Sequence, residues 1–203
     1  MSIINAMVRA LASAGVHPNI LTTIGLTINA LCGVLFGLGH FFWAGIVLVV
    51  ANLFDMLDGN VARQTGNVTK FGGFLDSSLD RLSDMFAFLG IMIFYAGNSS
   101  QHSILNVFLA GVGMMMSVMV SYTTARSEGL GVKANVGFVQ RPERVVLLII
   151  GALSTWNWNS TSYFANRMPQ VLWVIAMLSI WTLIHRMYYI SREFRKLEEA
   201  SGE

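Results

Sequence analysis

Between Asp55 and Asp80 the chain sets four carboxylates, Asp55, Asp58, Asp76 and Asp80, inside sequence otherwise suited to lipid. Few folds tolerate such an arrangement. Asp55 and Asp58 are three residues apart and Asp76 and Asp80 four, so on helices each pair projects from one face. Apolar residues dominate the stretches before Asp55 and after Asp80. This predicts two antiparallel helices joined by a short polar turn, with both acid pairs near their membrane ends. Each buried ion costs several kcal/mol unless it is compensated, so four acids gathered in such a hairpin must be protonated or hold cations. Divalent metal neutralises them with the fewest ions.

Of the 203 residues, 54% are hydrophobic and 12% charged, against about 25% charged in a soluble domain. The expected class is therefore an all-α integral membrane protein. No hydrophilic block and no fixed-period repeat interrupts the chain, so residues 1–203 are read as a single membrane domain. The lone cysteine, Cys32, excludes an intrachain disulfide. The opening MSIINAMVRALASAGVHPN has no basic region ahead of an apolar core, so a cleaved signal peptide is not expected. Instead Ile3, Ile4, Met7, Val8 and Leu11 recur at helical spacing and predict a short amphipathic helix on the bilayer surface.

Six transmembrane helices follow: Asn19 to Leu38, Phe42 to Asp58, Phe71 to Tyr95, Ile104 to Tyr122, Val145 to Trp156 and Val171 to Tyr189. The fifth is short, and its helix is expected to take in the turn beginning at Pro142. Pro18, Pro142 and Pro169 all fall at helix entrances, where a missing N–H is harmless. Six antiparallel spans place Arg9, Arg63, Lys70, Arg81, Arg126, Lys133, Arg141, Arg144, Arg186, Arg192, Arg195 and Lys196 on or near one side, with Arg167 alone on the other. The asymmetry assigns the acidic face and both termini to the cytoplasm. Trp156, Trp158 and Tyr163 fit an aromatic belt on the far side.

The acids belong to a longer pattern, Asp55-x2-Asp58-Gly59-x2-Ala62-Arg63-x8-Gly72-x3-Asp76-x3-Asp80. Carboxylate oxygens suit hard cations such as Mg²⁺, which keeps coordination positions for water and substrate phosphates. Two metals a few ångströms apart would clamp a phosphoryl group during in-line displacement. Gly59 and Gly72 let a bulky ligand approach the backbone beside the acids. Arg63 offers a planar fork of donors to a phosphate.

This pattern resembles, at every defined position, the signature of the CDP-alcohol phosphotransferase family, also called CDP-alcohol phosphatidyltransferases. The resemblance implies six membrane helices, an N-terminal surface helix, a cytoplasmic active site and a homodimer. It also implies transfer of a substituted phosphate from a CDP-linked lipid to an alcohol, with release of CMP. Carried over by position, Asp55, Asp58, Asp76 and Asp80 are expected to bind two Mg²⁺ ions, with Mn²⁺ as a substitute, and Asp80 is expected to be the general base. Gly59, Arg63, Thr69 and Gly72 match contacts to the CDP moiety. HPNILTTIG resembles the family's entry to the first span and adds Asn19 and Thr22.

The segment from Ser121 to Val146 gathers Arg126, Lys133, Arg141 and Arg144 around one cytoplasmic connection, and Arg186 lies near the end of the last span. Plain positive-inside charge is the ordinary explanation. Four cations beside a carboxylate site also suit an acceptor that is itself phosphorylated. With DSSLDRLSD, this segment resembles the inositol-phosphate branch of the family, which implies inositol phosphate as acceptor and these five cations as its phosphate contacts. Many bacterial members of that branch carry Lys where this chain has Thr124. That departure leaves Lys133 as the replacement, or a different acceptor, such as glycerol phosphate, as the alternative. Asp84 lies outside the signature and is read as a structural partner of Arg81, Arg126 or a helix terminus.

A cation-coupled transporter would use intramembrane acids as a relay, yet it has no need of Gly59, Ala62, Arg63 and Gly72 at fixed offsets. A membrane prenyltransferase would need two separated Asp-rich motifs. No nucleic-acid partner is expected, and the plasma membrane is the expected location.

Overall fold

The structure is a computed structural model that describes residues 3–13, 18–66, 68–98, 100–133, 136–137, 140–157 and 166–201. Among these the elements are helical: α1 Ile3–Ser13, α2 Pro18–Gly37, α3 Phe41–Thr65, α4 Lys70–Ala96, α5 Ile104–Gly129, α6 Arg141–Leu153, a 3₁₀ turn over Ser154–Asn157, and α7 Met168–Ser201. The helix starts follow local chemistry. The Thr69 hydroxyl accepts from Gly72 N at 2.9 Å and Ser103 from Asn106 N at 3.3 Å, each satisfying one orphan amide. A reciprocal Gln140 and Glu143 capping box opens α6, with Pro142 in its first turn. Gly66 ends α3 at φ 70°, the left-handed geometry that glycine adopts without strain.

Packing closes six of these helices into a ring in the order α2, α4, α5, α7, α6, α3, and α1 lies against α3. Phe36, Phe41, Phe88, Ile91, Tyr95, Leu148, Leu172 and Ile175 fill its interior. Between helices in lipid the hydrophobic effect supplies little drive, so close packing through small residues carries more of the association. At the α2/α4 crossing a Cβ on Gly90 would run into the Gly33 carbonyl, and one on Gly33 into that of Phe86. Gly45 meets Ala152 across α3 and α6, and Gly113 meets the Phe88 ring across α5 and α4.

The outer surface is strongly apolar. Leu31, Val34, Leu38, Trp43, Ile93, Phe108, Met177, Trp181 and Ile184 are exposed, as expected of a chain whose solvent is a bilayer. Four helices are long and apolar enough to cross one: Asn19–Gly37, Phe41–Thr65, Ile104–Gly129 and Met168–Glu199. The other two expected spans fall short for different reasons. Asp76, Asp80, Arg81 and Asp84 interrupt the N-terminal half of α4, and α6 has 13 residues. Trp156 is exposed and packs edge-on to Phe42 at 4.7 Å. Trp158 and Tyr163 lie outside the described residues. Pro18, Pro142 and Pro169 do stand in the first turns of α2, α6 and α7.

Candidate active site

Asp55 and Asp58 sit further inside their helix than expected, because α3 runs on to Thr65 before the turn at Gly66, whereas α4 starts within one residue of its expected beginning. That extension turns Gly59, Ala62 and Arg63 into a helical face continuing from Asp55 and Asp58. Opposite it, α4 presents Gly72, Gly73 and Asp76, and the start of α2 brings Asn19 and Thr22. Together they line a cavity of about 210 Å³ with Val68 and Thr69 at its rim. All six residues expected on the CDP side, Asn19, Thr22, Gly59, Arg63, Thr69 and Gly72, meet in this cavity with Asp58 and Asp76. At Gly72 the cavity wall is tight: a Cβ there would lie 3.0 Å from Thr69 Oγ1 of its own helix cap and in ordinary contact, 3.5 Å, with Asn19 Oδ1 of α2.

Thr22 hydrogen-bonds the Asp58 carboxylate. Asp58 is 4% exposed, and its Oδ2 is buried without a hydrogen-bond partner among the described residues. A buried carboxylate oxygen left orphaned is costly, and a hard cation satisfies it. This is the donor chemistry a divalent ion takes. As placed, however, no three described His, Cys, Asp or Glu side chains form a ligand group. A guanidinium stands among the acids instead. Arg141, the first residue of α6, reaches Asp55 Oδ2 at 2.8 Å, Asp80 Oδ1 at 2.9 Å and Asp84 Oδ1 at 3.6 Å.

Arg144, one turn further along α6, is 2% exposed. Its Nη2 donates to Asp84 Oδ2 at 3.1 Å and to Ser117 Oγ at 2.8 Å, while its Nε and Nη1 are buried with no partner among the described residues. Asp84 is thus a structural partner, but of Arg144 and Ser117 rather than of Arg81 or Arg126. Arg81 turns back onto the Ser77 carbonyl of its own helix. Arg186 on α7 donates Nη1 to Val120 O at 2.6 Å and to Thr124 Oγ1, and Nε to Val136 O at 2.9 Å. Ser117 and Val120 are three apart on α5, so Arg144 and Arg186 grip neighbouring turns of the same helix face.

The remaining two expected acceptor contacts fall elsewhere. Arg126 lines a separate groove of about 490 Å³ between α5 and α7, with Met187, Phe194 and Arg195. Lys133 is exposed on the connection after α5, and no described contact ties it to the acids. Sequence reasoning also missed Gly25 and Ser117. A Cβ on Gly25 would stand 2.9 Å from Asp55 Oδ1, and its only signal was its place in PNILTTIG. Ser117 is the one hydroxyl within the apolar run MMMSVMV.

A sequence profile of the CDP-alcohol phosphatidyltransferases matches residues 15–185. The chain belongs to the CDP-alcohol phosphatidyltransferase family. The match takes in α2 to α6 and the part of α7 up to residue 185. Among relatives in this family, the phosphatidylinositol phosphate synthase of Mycobacteroides abscessus is 33% identical over 191 residues, spanning 93% of this chain and 83% of its own. The archaetidylinositol phosphate synthase of Pyrococcus horikoshii is 39% identical over 182 residues, 89% of this chain and 86% of its own. The crystal structure of Mycobacterium tuberculosis phosphatidylinositol phosphate synthase with CDP-DAG bound matches with a TM-score of 0.83 at 31% identity, covering 93% of both chains. The same enzyme in complex with manganese and citrate also gives 0.83, covering 93% of this chain and 88% of that one.

Proposed function

We propose that this member of the CDP-alcohol phosphatidyltransferase family joins a CDP-linked lipid, CDP-diacylglycerol or its archaeal equivalent, to inositol phosphate and releases CMP. The observation that carries the reading is a juxtaposition. A cavity lined by Asn19, Thr22, Gly59, Arg63 and Gly72 opens onto the acids, and Arg141 stands against two of those acids, with Arg144 behind it on Asp84. Relatives of both bacterial and archaeal origin named for inositol phosphate lipids support the acceptor assignment.

Asp55, Asp58, Asp76 and Asp80 would hold two divalent ions, Mg²⁺ with Mn²⁺ as a substitute; when bound, these supply charge neutralisation of the diphosphate and of the departing CMP. The chain's own groups do the rest. Asn19, Thr22 and Arg63 orient the CDP portion, and Gly59 and Gly72 leave it room against the helix backbones. Thr69 takes part through the rim it forms, since its hydroxyl is engaged in capping α4. Arg144, with two unpartnered nitrogens, and Arg186 receive the acceptor's phosphate, with Arg141 beside them. Arg126 and Lys133 contribute only general positive charge. The acceptor hydroxyl oxygen forms a bond to the lipid-bearing phosphorus, the bond from that phosphorus to the CMP oxygen breaks, and Asp80 takes the hydroxyl proton as attack proceeds. In this reading α2 to α7 all span the membrane, the acids face the cytoplasm at the plasma membrane, and the enzyme is a homodimer.

The test is CMP release by purified protein given CDP-diacylglycerol and Mg²⁺, with inositol 1-phosphate, free inositol, glycerol 3-phosphate and serine compared as acceptors. Stimulation by inositol 1-phosphate alone is expected. A preference for glycerol 3-phosphate would overturn the acceptor, and no CMP with any acceptor or donor lipid would overturn the reaction. Asp80→Asn should abolish turnover while leaving much of the CDP-lipid binding; near-normal turnover would remove Asp80 as the base.

A further inference from the structure

Two kinds of cation have a claim on the same oxygens. On the reading just proposed, on which this inference rests, Asp55 and Asp80 hold divalent metal. Arg141 nevertheless spends both arms of its guanidinium fork on them, Nη2 on Asp55 Oδ2 at 2.8 Å and Nη1 on Asp80 Oδ1 at 2.9 Å. The acids come from two helices, α3 and α4, and the arginine from a third. Asp84 does not explain this placement. Its contact with Arg141 is longer, at 3.6 Å, and its carboxylate is already served by Arg144 and Ser117.

The backbone of Arg141 is fixed. The Gln140 amide donates to Glu143 Oε2 at 2.9 Å, the capping box defines the first turn of α6, and Pro142 locks the next φ. Any change of partner by Arg141 therefore lies in its side-chain torsions. A divalent ion on the same carboxylates would take their lone pairs and repel the guanidinium. The displaced group would then stand one helical turn from Arg144, whose Nε and Nη1 have no partner among the described residues, on the side where the acceptor's phosphate is placed.

We propose that Arg141 is an exchange residue: its guanidinium competes with divalent metal for Asp55 and Asp80, and metal binding releases it to the acceptor phosphate. The acceptor site is then complete only after the metal site is filled. Exchange of this kind is reciprocal. Whatever metal does for phosphate affinity, phosphate does for metal affinity by the same factor. Arg141 is a positioning residue in this scheme, since it sets the order in which the site assembles.

The experiment is Mn²⁺ binding by full-length protein in detergent, read from the EPR signal of free Mn²⁺, with and without inorganic phosphate, for wild type, Arg141→Gln and Asp76→Asn. Removing the competitor should tighten Mn²⁺ binding by Arg141→Gln about tenfold, within the usual range of such couplings. Phosphate should tighten Mn²⁺ binding several-fold in wild type and not in Arg141→Gln. Unchanged or weaker Mn²⁺ binding by Arg141→Gln, while Asp76→Asn loses the ion, overturns the exchange and leaves the metal site standing. Equal Mn²⁺ binding by Asp76→Asn and wild type overturns the metal site itself, and the exchange with it. Thermal unfolding guards against a misfolded variant: Arg141→Gln should melt lower than wild type in EDTA and gain more from Mn²⁺. A smaller gain than wild type counts against the proposal.

Discussion

Ser117 on α5 and Asp84 on α4 share a 2.6 Å hydrogen bond, and both accept from the same nitrogen of Arg144 on α6. Three helices thus meet at one buried ion pair, 33 and 60 residues away from Asp84 in sequence. Breaking such a pair from one side is far worse than never having made it, because the surviving charge stays buried.

Asp84→Ala should therefore cost about 3–5 kcal/mol and Ser117→Ala about 1–3 kcal/mol. Thermal unfolding in detergent reads both, and the double variant should lose less than the sum, since the two share one nitrogen. An unchanged melting temperature for Asp84→Ala would show that Arg144 is held by something else.

Gly90→Ala and Gly73→Ala make the same chemical change on one helix with opposite consequences. At Gly90 the added methyl meets the Gly33 carbonyl, which cannot move without parting α2 from α4, whereas at Gly73 nothing lies within 4 Å. Gly90→Ala should lower the yield of folded protein sharply. Gly73→Ala should fold as well as wild type or better, by up to about 1 kcal/mol from helix propensity. Comparable yields and melting temperatures would remove the crossing as a packing constraint.

Gly25→Ala tests the seat of Asp55. The new methyl would lie 2.9 Å from Asp55 Oδ1, the end of a side chain that can rotate away, so the fold should survive. Mn²⁺ affinity should fall several-fold with little change in melting temperature in EDTA. Equal affinity would mean that Asp55 is not a ligand, or that it tolerates displacement.

Arg186→Lys keeps the charge but loses the planar fork that serves Val136, Val120 and Thr124 together. The connection before α6 should come loose, read as faster limited proteolysis between α5 and α6, and KM for the acceptor should rise about tenfold or more with a smaller change in KM for the CDP-lipid. Equal shifts in both would mean that Arg186 supports the whole site rather than one substrate.

The grouping of the acids was legible because its logic is local. Asp55 with Asp58 and Asp76 with Asp80 are neighbours through helical spacing alone, whereas Gly59, Arg63, Thr69 and Gly72 were grouped by the resemblance to the family motif and do line one cavity. The cations were harder. Arg126, Lys133, Arg141 and Arg144 lie close together in sequence, yet they reach different places: Arg126 an outer groove, Lys133 an exposed connection, Arg141 the carboxylates of Asp55 and Asp80, and Arg144 the interior. Depth along α6 separates the last two, and where α5 ends and α6 begins separates the others, which positive charge alone does not reveal. Asp84 was read correctly as structural but given the wrong partners, because its true ones come from two other helices. Gly25 was invisible for the same reason: a glycine's importance is set by whatever comes near it.

The crossing of Gly33 and Gly90 reaches beyond packing. Asn19 and Gly72, on the mouth of the polar cavity, are the far ends of the two helices that touch there. Asn19 lies about 20 Å from Gly33 along the helix axis. Over that length a turn of about 5° at the crossing shifts the Asn19 end by about 2 Å. The spacing of Asn19 and Gly72 at the cavity mouth therefore depends on two residues with no side chains near the opposite ends of α2 and α4.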